Sequence, residues 1–142
     1  MNCAKAGSAE AVNLLINRGA EVNATESRRG QNALMWAVSN HQLGVVRALI
    51  EHYMGNAKIL RTGAKKAGLK VYGGVNAPYI WVRCPAGVTS WQAFDKILGE
   101  ASVVITPGSG FGSKGEGYFR ISSFNSRANA EEVARRLQEL KW

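Results

Sequence analysis

The sequence predicts an α+β protein: short helical pairs at the N-terminal end run through one continuous helix into a small sheet with helices on one face. Three observations carry this. Apolar positions in the first fifty residues recur at an offset of 34. From Val46 to Ala64 they are spaced alternately by three and four. Beyond Gly68, short β-rich runs alternate with capped helices, the pattern of helices layered on a sheet.

The repeat comes first in the chain. Setting Ala6-Gly7-Ser8 against Asn40-His41-Gln42 brings Val12 onto Val46, Leu15 onto Leu49 and Ile16 onto Ile50. The first copy ends Asn17-Arg18-Gly19-Ala20-Glu21-Val22-Asn23-Ala24, and the second opens Gly30-Gln31-Asn32-Ala33-Leu34-Met35-Trp36-Ala37. Both stretches resemble ankyrin repeats, whose period is about 33; the extra residue fits the loop Thr25 to Arg29. The segment 1–52 thus holds about one and a half repeats, fewer than the roughly three that cover a stack's apolar faces. Gly19 is expected to supply the positive φ that ends its helix. Tyr53 stands where the second copy should have that glycine, so no stop is expected there.

Val46, Leu49, Ile50, Tyr53, Ala57, Leu60 and Ala64 predict one apolar face of a helix from about Leu43 to about Ala67. Gly55 and Gly63 should each weaken it by about 1 kcal/mol relative to alanine. The junction between segments 1–52 and 53–142 lies inside this helix, which makes the two one rod. Next come Val71-Tyr72 and Ala77 to Val82, read as two short strands around Gly73-Gly74. Thr89-Ser90-Trp91-Gln92 is a capping box opening a helix with Trp91, Phe94, Ile97 and Leu98 as its apolar face. Ala101 to Thr106 and Gly117 to Phe124 read as strands. Asn129 is expected to cap a last helix with Val133, Ala134, Leu137 and Leu140 on one side.

Apolar residues at 46% and charged residues at 20% describe a globular protein. No run of 18 apolar residues suggests a membrane span, and Met1 to Gly7 has no apolar stretch of a signal peptide. Only Cys3 and Cys84 are present, so no disulfide framework is expected and a reducing cytoplasm suits the chain. The net charge of +8 arises from scattered pairs, Arg28-Arg29, Lys65-Lys66 and Arg135-Arg136, without interleaved aromatics. A solvated basic surface, with no nucleic acid bound, is the expectation.

Specific runs point to a family. Tyr53-Met54-Gly55-Asn56-Ala57-Lys58-Ile59, Tyr72-Gly73-Gly74-Val75-Asn76-Ala77-Pro78-Tyr79-Ile80-Trp81, and Ser90-Trp91 followed by Phe94-Asp95-Lys96 come in order. So do Thr106-Pro107-Gly108-Ser109-Gly110-Phe111-Gly112, Gly115-Glu116-Gly117-Tyr118-Phe119-Arg120-Ile121-Ser122 and Phe124-Asn125-Ser126-Arg127. Residues 53–142 resemble the C-terminal small domain of LL-diaminopimelate aminotransferases, fold-type I enzymes that use pyridoxal phosphate. The resemblance implies that Arg120 holds the substrate α-carboxylate. A planar guanidinium suits that role, because two parallel bonds fix orientation as well as charge. Gly108 and Gly110 let the chain turn beside it, and Asn76 and Tyr79 are candidates for shaping the same pocket.

Gly110, Gly112 and Gly115 spell a dinucleotide fingerprint, but Phe119 and Ile121 follow as a strand where a helix must begin. In the resembled family the Schiff-base lysine, the aspartate facing the pyridine nitrogen and the phosphate-binding groups lie upstream, in the large domain. Lys114 does not match that lysine. No catalytic or cofactor-binding residue is therefore expected in the chain, and no metal site, since no Cys, His or carboxylate cluster has ligand spacing. His41 falls where ankyrin repeats place a loop histidine that bonds backbone; His52, beside Glu51, should be solvated.

What the resemblance implies is a homodimeric enzyme moving an amino group between glutamate and tetrahydrodipicolinate, in lysine biosynthesis. The chain supplies its carboxylate arginine and is expected to be inactive alone. Two other readings stand beside this one. One is a binding module contacting a protein partner through Thr25 to Arg29. The other is a chimeric reading frame without selected function.

Overall fold

The hydroxyl of Ser8 accepts a hydrogen bond from the Ala11 N–H at 3.2 Å and so starts a helix, α2 (Ala9–Asn17). A serine at this position satisfies one of the amides that a first turn leaves unbonded. Before it lies α1 (Asn2–Ala6), separated by Gly7 at φ 82°. Asn32 repeats the capping device, accepting from Met35 N–H at 2.9 Å to open α3 (Ala33–Ser39). His41, at φ 55°, turns the chain into α4 (Leu43–Lys66). Its side chain is exposed and makes no recorded hydrogen bond, unlike the backbone-bonding role expected of it. The structure, a computed structural model, describes all residues 1–142.

Gly19 carries a positive φ of 80° just after α2 has ended. Without such a residue at Tyr53, α4 runs on for 24 residues. Its burial differs from the predicted stripe in the first half, where Val45, Ala48, Leu49, His52, Tyr53 and Asn56 face inward and Ile50 faces solvent. His52 is buried rather than solvated. The cause is that two polar residues, His52 and Asn56, share the inner face, which an apolar count passes over.

The second half of α4 packs against a four-stranded antiparallel sheet of order β1 (Val71–Gly73), β2 (Tyr79–Arg83), β4 (Tyr118–Ser122), β3 (Thr106–Pro107). With α5 (Ser90–Ala101) and α6 (Arg127–Glu139) it covers one sheet face, the architecture the sequence predicted. Ile80, Val82, Phe119 and Ile121 point into this core with Leu60, Ile97 and Leu137. A separate, smaller core joins Ala4, Val12, Ala37, Val45, Leu49 and Tyr53. Tyr53 of the smaller core and Ala57 of the larger are one helical turn apart. No helix is long and apolar enough to cross a membrane.

Three local expectations are corrected. The capping box on α5 is present, with Thr89 and Gln92 exchanging bonds, but its buried face is Ser90, Ala93, Ile97 and Ala101. Trp91 is 57% exposed and Leu98 also faces out, because the sheet accepts small residues at closest approach. Of residues 101–106 only Thr106 is in a strand, the first residue of the two-residue β3: α5 extends to Ala101, and Ser102 reverses the chain at φ 52°. Last, Ser126 caps α6, accepting from Asn129 N–H at 3.2 Å, so Asn129 lies within the first turn.

Candidate functional site

Strand alternation sends Phe119 and Ile121 into the core and leaves Tyr118, Arg120 and Ser122 on the opposite face. The register sets Arg120 opposite Trp81 on β2 and Thr106 on β3, while Tyr72 on β1 pairs with Trp81. Tyr72, Trp81 and Arg120 therefore form one row across the sheet face that no helix covers.

Two rings grip the guanidinium. Its central carbon lies 4.4 Å from the ring centroid of Tyr79 and 4.4 Å from that of Phe111. Guanidinium groups bind well over aromatic faces. Tyr79 is braced edge-on by Phe124 at 5.6 Å, and Phe111 meets Trp81 at 5.2 Å. No carboxylate pairs with Arg120; the ion pairs of the chain lie within α5 and α6. Its Nε is buried and has no hydrogen-bond partner. A cation held flat without a counter-charge has the chemistry to pair with an anion.

The turn that carries Phe111 is built around Gly108. This residue is buried, and a Cβ there would collide with the Gly115 carbonyl and lie 2.5 Å from that of Tyr118. Gly110 has open space around it, so local packing does not demand glycine there. A polar knot ties the turn to the start of α5. Glu116 accepts from Ser90 N–H at 2.8 Å and from the Ser90 hydroxyl at 3.0 Å, and that hydroxyl shares a 2.8 Å bond with Ser109. Bonds from the Ser90 and Gly117 backbones hold the Glu116 carboxyl below its ordinary range.

Of the residues predicted for the pocket, the structure joins Tyr79 directly to Arg120 and sets Gly108 at the base of the turn. Asn76 is exposed in the Gly73–Pro78 bend and makes no recorded hydrogen bond. Sequence reasoning missed Tyr72, Trp81, Phe111 and Tyr118. With Lys114 and Gly115 they line a cavity of 410 Å³ beside the arginine. The signal lay in the alternation Tyr79-x-Trp81 and Tyr118-x-Arg120, which puts these side chains on one sheet face. A separate 690 Å³ cavity around Leu69, Cys84, Gly117 and Trp142 lacks comparable chemistry; burial pushes the Cys84 thiol up to about 11.

The N-terminal residues 1–65 match the family described as Ankyrin repeats (3 copies). Among solved structures, the chain is similar to L,L-diaminopimelate aminotransferase from Chlamydomonas reinhardtii, with 43% identity over 80% of this chain and a TM-score of 0.69. The chain carries an aminotransferase small-domain fold behind an ankyrin-repeat segment. It is also similar to an aromatic aminotransferase from Pyrococcus horikoshii at 28% identity, covering 78% of this chain and 31% of that one, with a TM-score of 0.66. A probable N-succinyldiaminopimelate aminotransferase from Thermus thermophilus aligns at 27% identity, 79% and 31% coverage, and a TM-score of 0.63. The chain spans 28% of the length of the Chlamydomonas enzyme.

Aminotransferases use pyridoxal phosphate, and the residues lining this cavity do not fit that group. Lys114, the lysine of the aromatic cavity, is exposed on the glycine turn. No carboxylate lines the cavity to face a pyridine nitrogen, and Glu116 is taken up by Ser90 and Gly117.

Proposed function

We propose that this chain supplies the carboxylate-gripping small domain of an LL-diaminopimelate aminotransferase-like enzyme, and that these 142 residues do not transfer amino groups unaided. The observation that supports the reading is Arg120, held between Tyr79 and Phe111 with no acidic partner. From the uncovered sheet face its guanidinium fixes a substrate α-carboxylate by two parallel bonds. The stacked rings restrict its rotamers before the ligand arrives, which reduces the ordering cost of binding. Segment 1–52 is the ankyrin-like part and 53–142 the aminotransferase part. The substrates are those of the resembled family, glutamate and tetrahydrodipicolinate on the route to lysine, and two free thiols suit a cytoplasmic setting.

Two measurements test this. The Arg120 side-chain Nε–H resonance should shift on titration with diaminopimelate, and diaminopimelate binding measured by calorimetry should be lost in Arg120→Lys, which cannot make the paired bonds. Purified chain mixed with pyridoxal phosphate should show no internal-aldimine absorbance. A band that disappears in Lys114→Ala, or unaided turnover of diaminopimelate, would overturn the reading.

One observation favours a second role as a protein-binding module. The Glu26 carboxylate organises the loop Thr25 to Arg29, accepting from Arg28 N–H at 2.7 Å and Arg29 N–H at 2.8 Å. Both arginine side chains stand exposed on it. Capture of a partner that is unaffected by Arg28→Ala and Arg29→Ala would remove this role.

A further inference from the structure

The two helical pairs at the N-terminal end are related by the 34-residue offset, so each position in the first pair has an equivalent in the second. Their burial differs in a systematic way. Within the chain α1 packs on α3, and α2 on α4. Ala4 and Val12 of the first pair close against Ala37, Val45 and Leu49 of the second, all of them buried. Call the side bearing Ala4, Val12 and Ile16 the forward face, and the side bearing Ala37, Val45 and Leu49 the rear face.

The second pair has its own forward face, open at two of its three positions, since Val46, the equivalent of Val12, is half-buried against the smaller core. Val38, the equivalent of Ala4, is 56% exposed, and Ile50, the equivalent of Ile16, is 47% exposed. The first pair has its own rear face, open chiefly at Leu15. Leu15 is 44% exposed where its equivalent Leu49 is 1% exposed, and Cys3 and Ala11 are half-buried where Ala37 and Val45 are fully buried. Branched apolar side chains left open at matching positions on opposite ends of a stack are unusual for a monomer surface. Each end is the counterpart of the surface that the other end needs.

We propose that a second copy of this chain stacks head to tail on the first, with the forward face around Val38 and Ile50 of one copy covering the rear face around Leu15 of the next. The interface continues the one inside the chain by one more step of the same offset. Such a contact is heterologous: each copy uses two different surfaces, so association does not stop at a pair.

Sedimentation of the full chain at increasing concentration tests the proposal. The mass should rise with concentration. Ile50→Glu destroys the forward face and Leu15→Glu the rear face, both at exposed positions, so either variant alone should remain a monomer while circular dichroism reports an intact fold. Val38→Glu serves as a second forward-face variant should Ile50→Glu unfold. An equal mixture of the Ile50→Glu and Leu15→Glu proteins keeps one sound rear face and one sound forward face, and should form a complex that ends at a dimer. The proposal falls if the wild-type chain is monomeric throughout, if a folded single variant associates as wild type does, or if the mixture stays monomeric.

Discussion

The hydroxyl of Tyr53 donates a 2.7 Å hydrogen bond to Oδ1 of Asn23. Asn23 passes the connection on, donating from Nδ2 to the Phe124 carbonyl at 2.7 Å, while the Phe124 ring meets the Tyr53 ring edge-on at 4.7 Å. Asn23 belongs to the ankyrin-like loop, Tyr53 to the shared helix, and Phe124 to the segment between β4 and α6. Tyr53, standing where the repeat pattern has a helix-ending glycine, thus ties the Asn23 loop and α4 to the segment before α6.

Tyr53→Phe should therefore lower stability by about 1–3 kcal/mol, because Asn23 Oδ1 is left without its donor in a half-buried site. Burial raises the Tyr53 phenol above its ordinary 10.0. A raised pKa on this acid means that its contribution is complete below pH 10 and is lost as pH rises past that value. Thermal melts should show this alkaline loss in wild type and a smaller one in Tyr53→Phe; equal slopes would refute the assignment.

His52 gives the opposite dependence. Its Nε2 bonds the Asn125 carbonyl at 3.1 Å, and Asn56 Nδ2 donates to the same carbonyl at 2.7 Å. Arg127 lies over the same turn, donating to the His52 carbonyl at 3.5 Å. Burial, and then the Arg127 charge, lower the imidazole below 6.5. A lowered histidine contributes its full stability above pH 6.5, and that stability falls as protons enter the unfolded chain below this point. Melting temperature should drop from neutral pH to about pH 5, and His52→Gln should flatten the slope. A slope unchanged in the variant would assign the effect elsewhere.

The order of helices and strands was legible because periodicity and capping are local. Leu43 to Ala67, Thr89 with Gln92, and the alternation around Arg120 each declare themselves within a few residues. What could not be read was which atoms meet across the chain. Asn23, Tyr53 and Phe124 are far apart in sequence and have no periodic relation, and His52 looked polar enough for solvent. The arginine itself was visible through resemblance alone; its clamp became visible only with the fold, since Phe111 reaches it from a turn whose path the glycines leave undetermined.

Helix propensity alone makes Gly63 a weak point in α4, yet its role is contact. A Cβ there would stand 2.5 Å from Ala134 Cβ and 2.8 Å from Ala134 Cα on α6. Gly63→Ala should gain about 1 kcal/mol of helix propensity and lose more from overpacking, about 1–3 kcal/mol. Pairing it with Ala134→Gly should restore only part of the loss, because the contact with the Ala134 backbone remains and glycine within α6 costs about 1 kcal/mol of its own. A Gly63→Ala protein more stable than wild type would show that α6 moves away freely.

The glycine turn provides a sharper comparison, because two nearby glycines meet different surroundings. At Gly108 an added Cβ strikes backbone, the carbonyls of Gly115 and Tyr118, which cannot rotate aside as a side chain can. At Gly110 it meets nothing within 4 Å. Gly108→Ala should therefore displace the turn, loosen Phe111 from the Arg120 guanidinium and destabilise the chain by about 1–3 kcal/mol. Gly110→Ala should change stability by less than about 0.5 kcal/mol. The Arg120 Nε–H resonance reports the clamp directly, since ring currents from Tyr79 and Phe111 act on a group wedged between them. That signal should move in Gly108→Ala and stay in place in Gly110→Ala. Equal behaviour of the two variants would mean that close backbone approach at Gly108 does not hold Phe111 over the arginine.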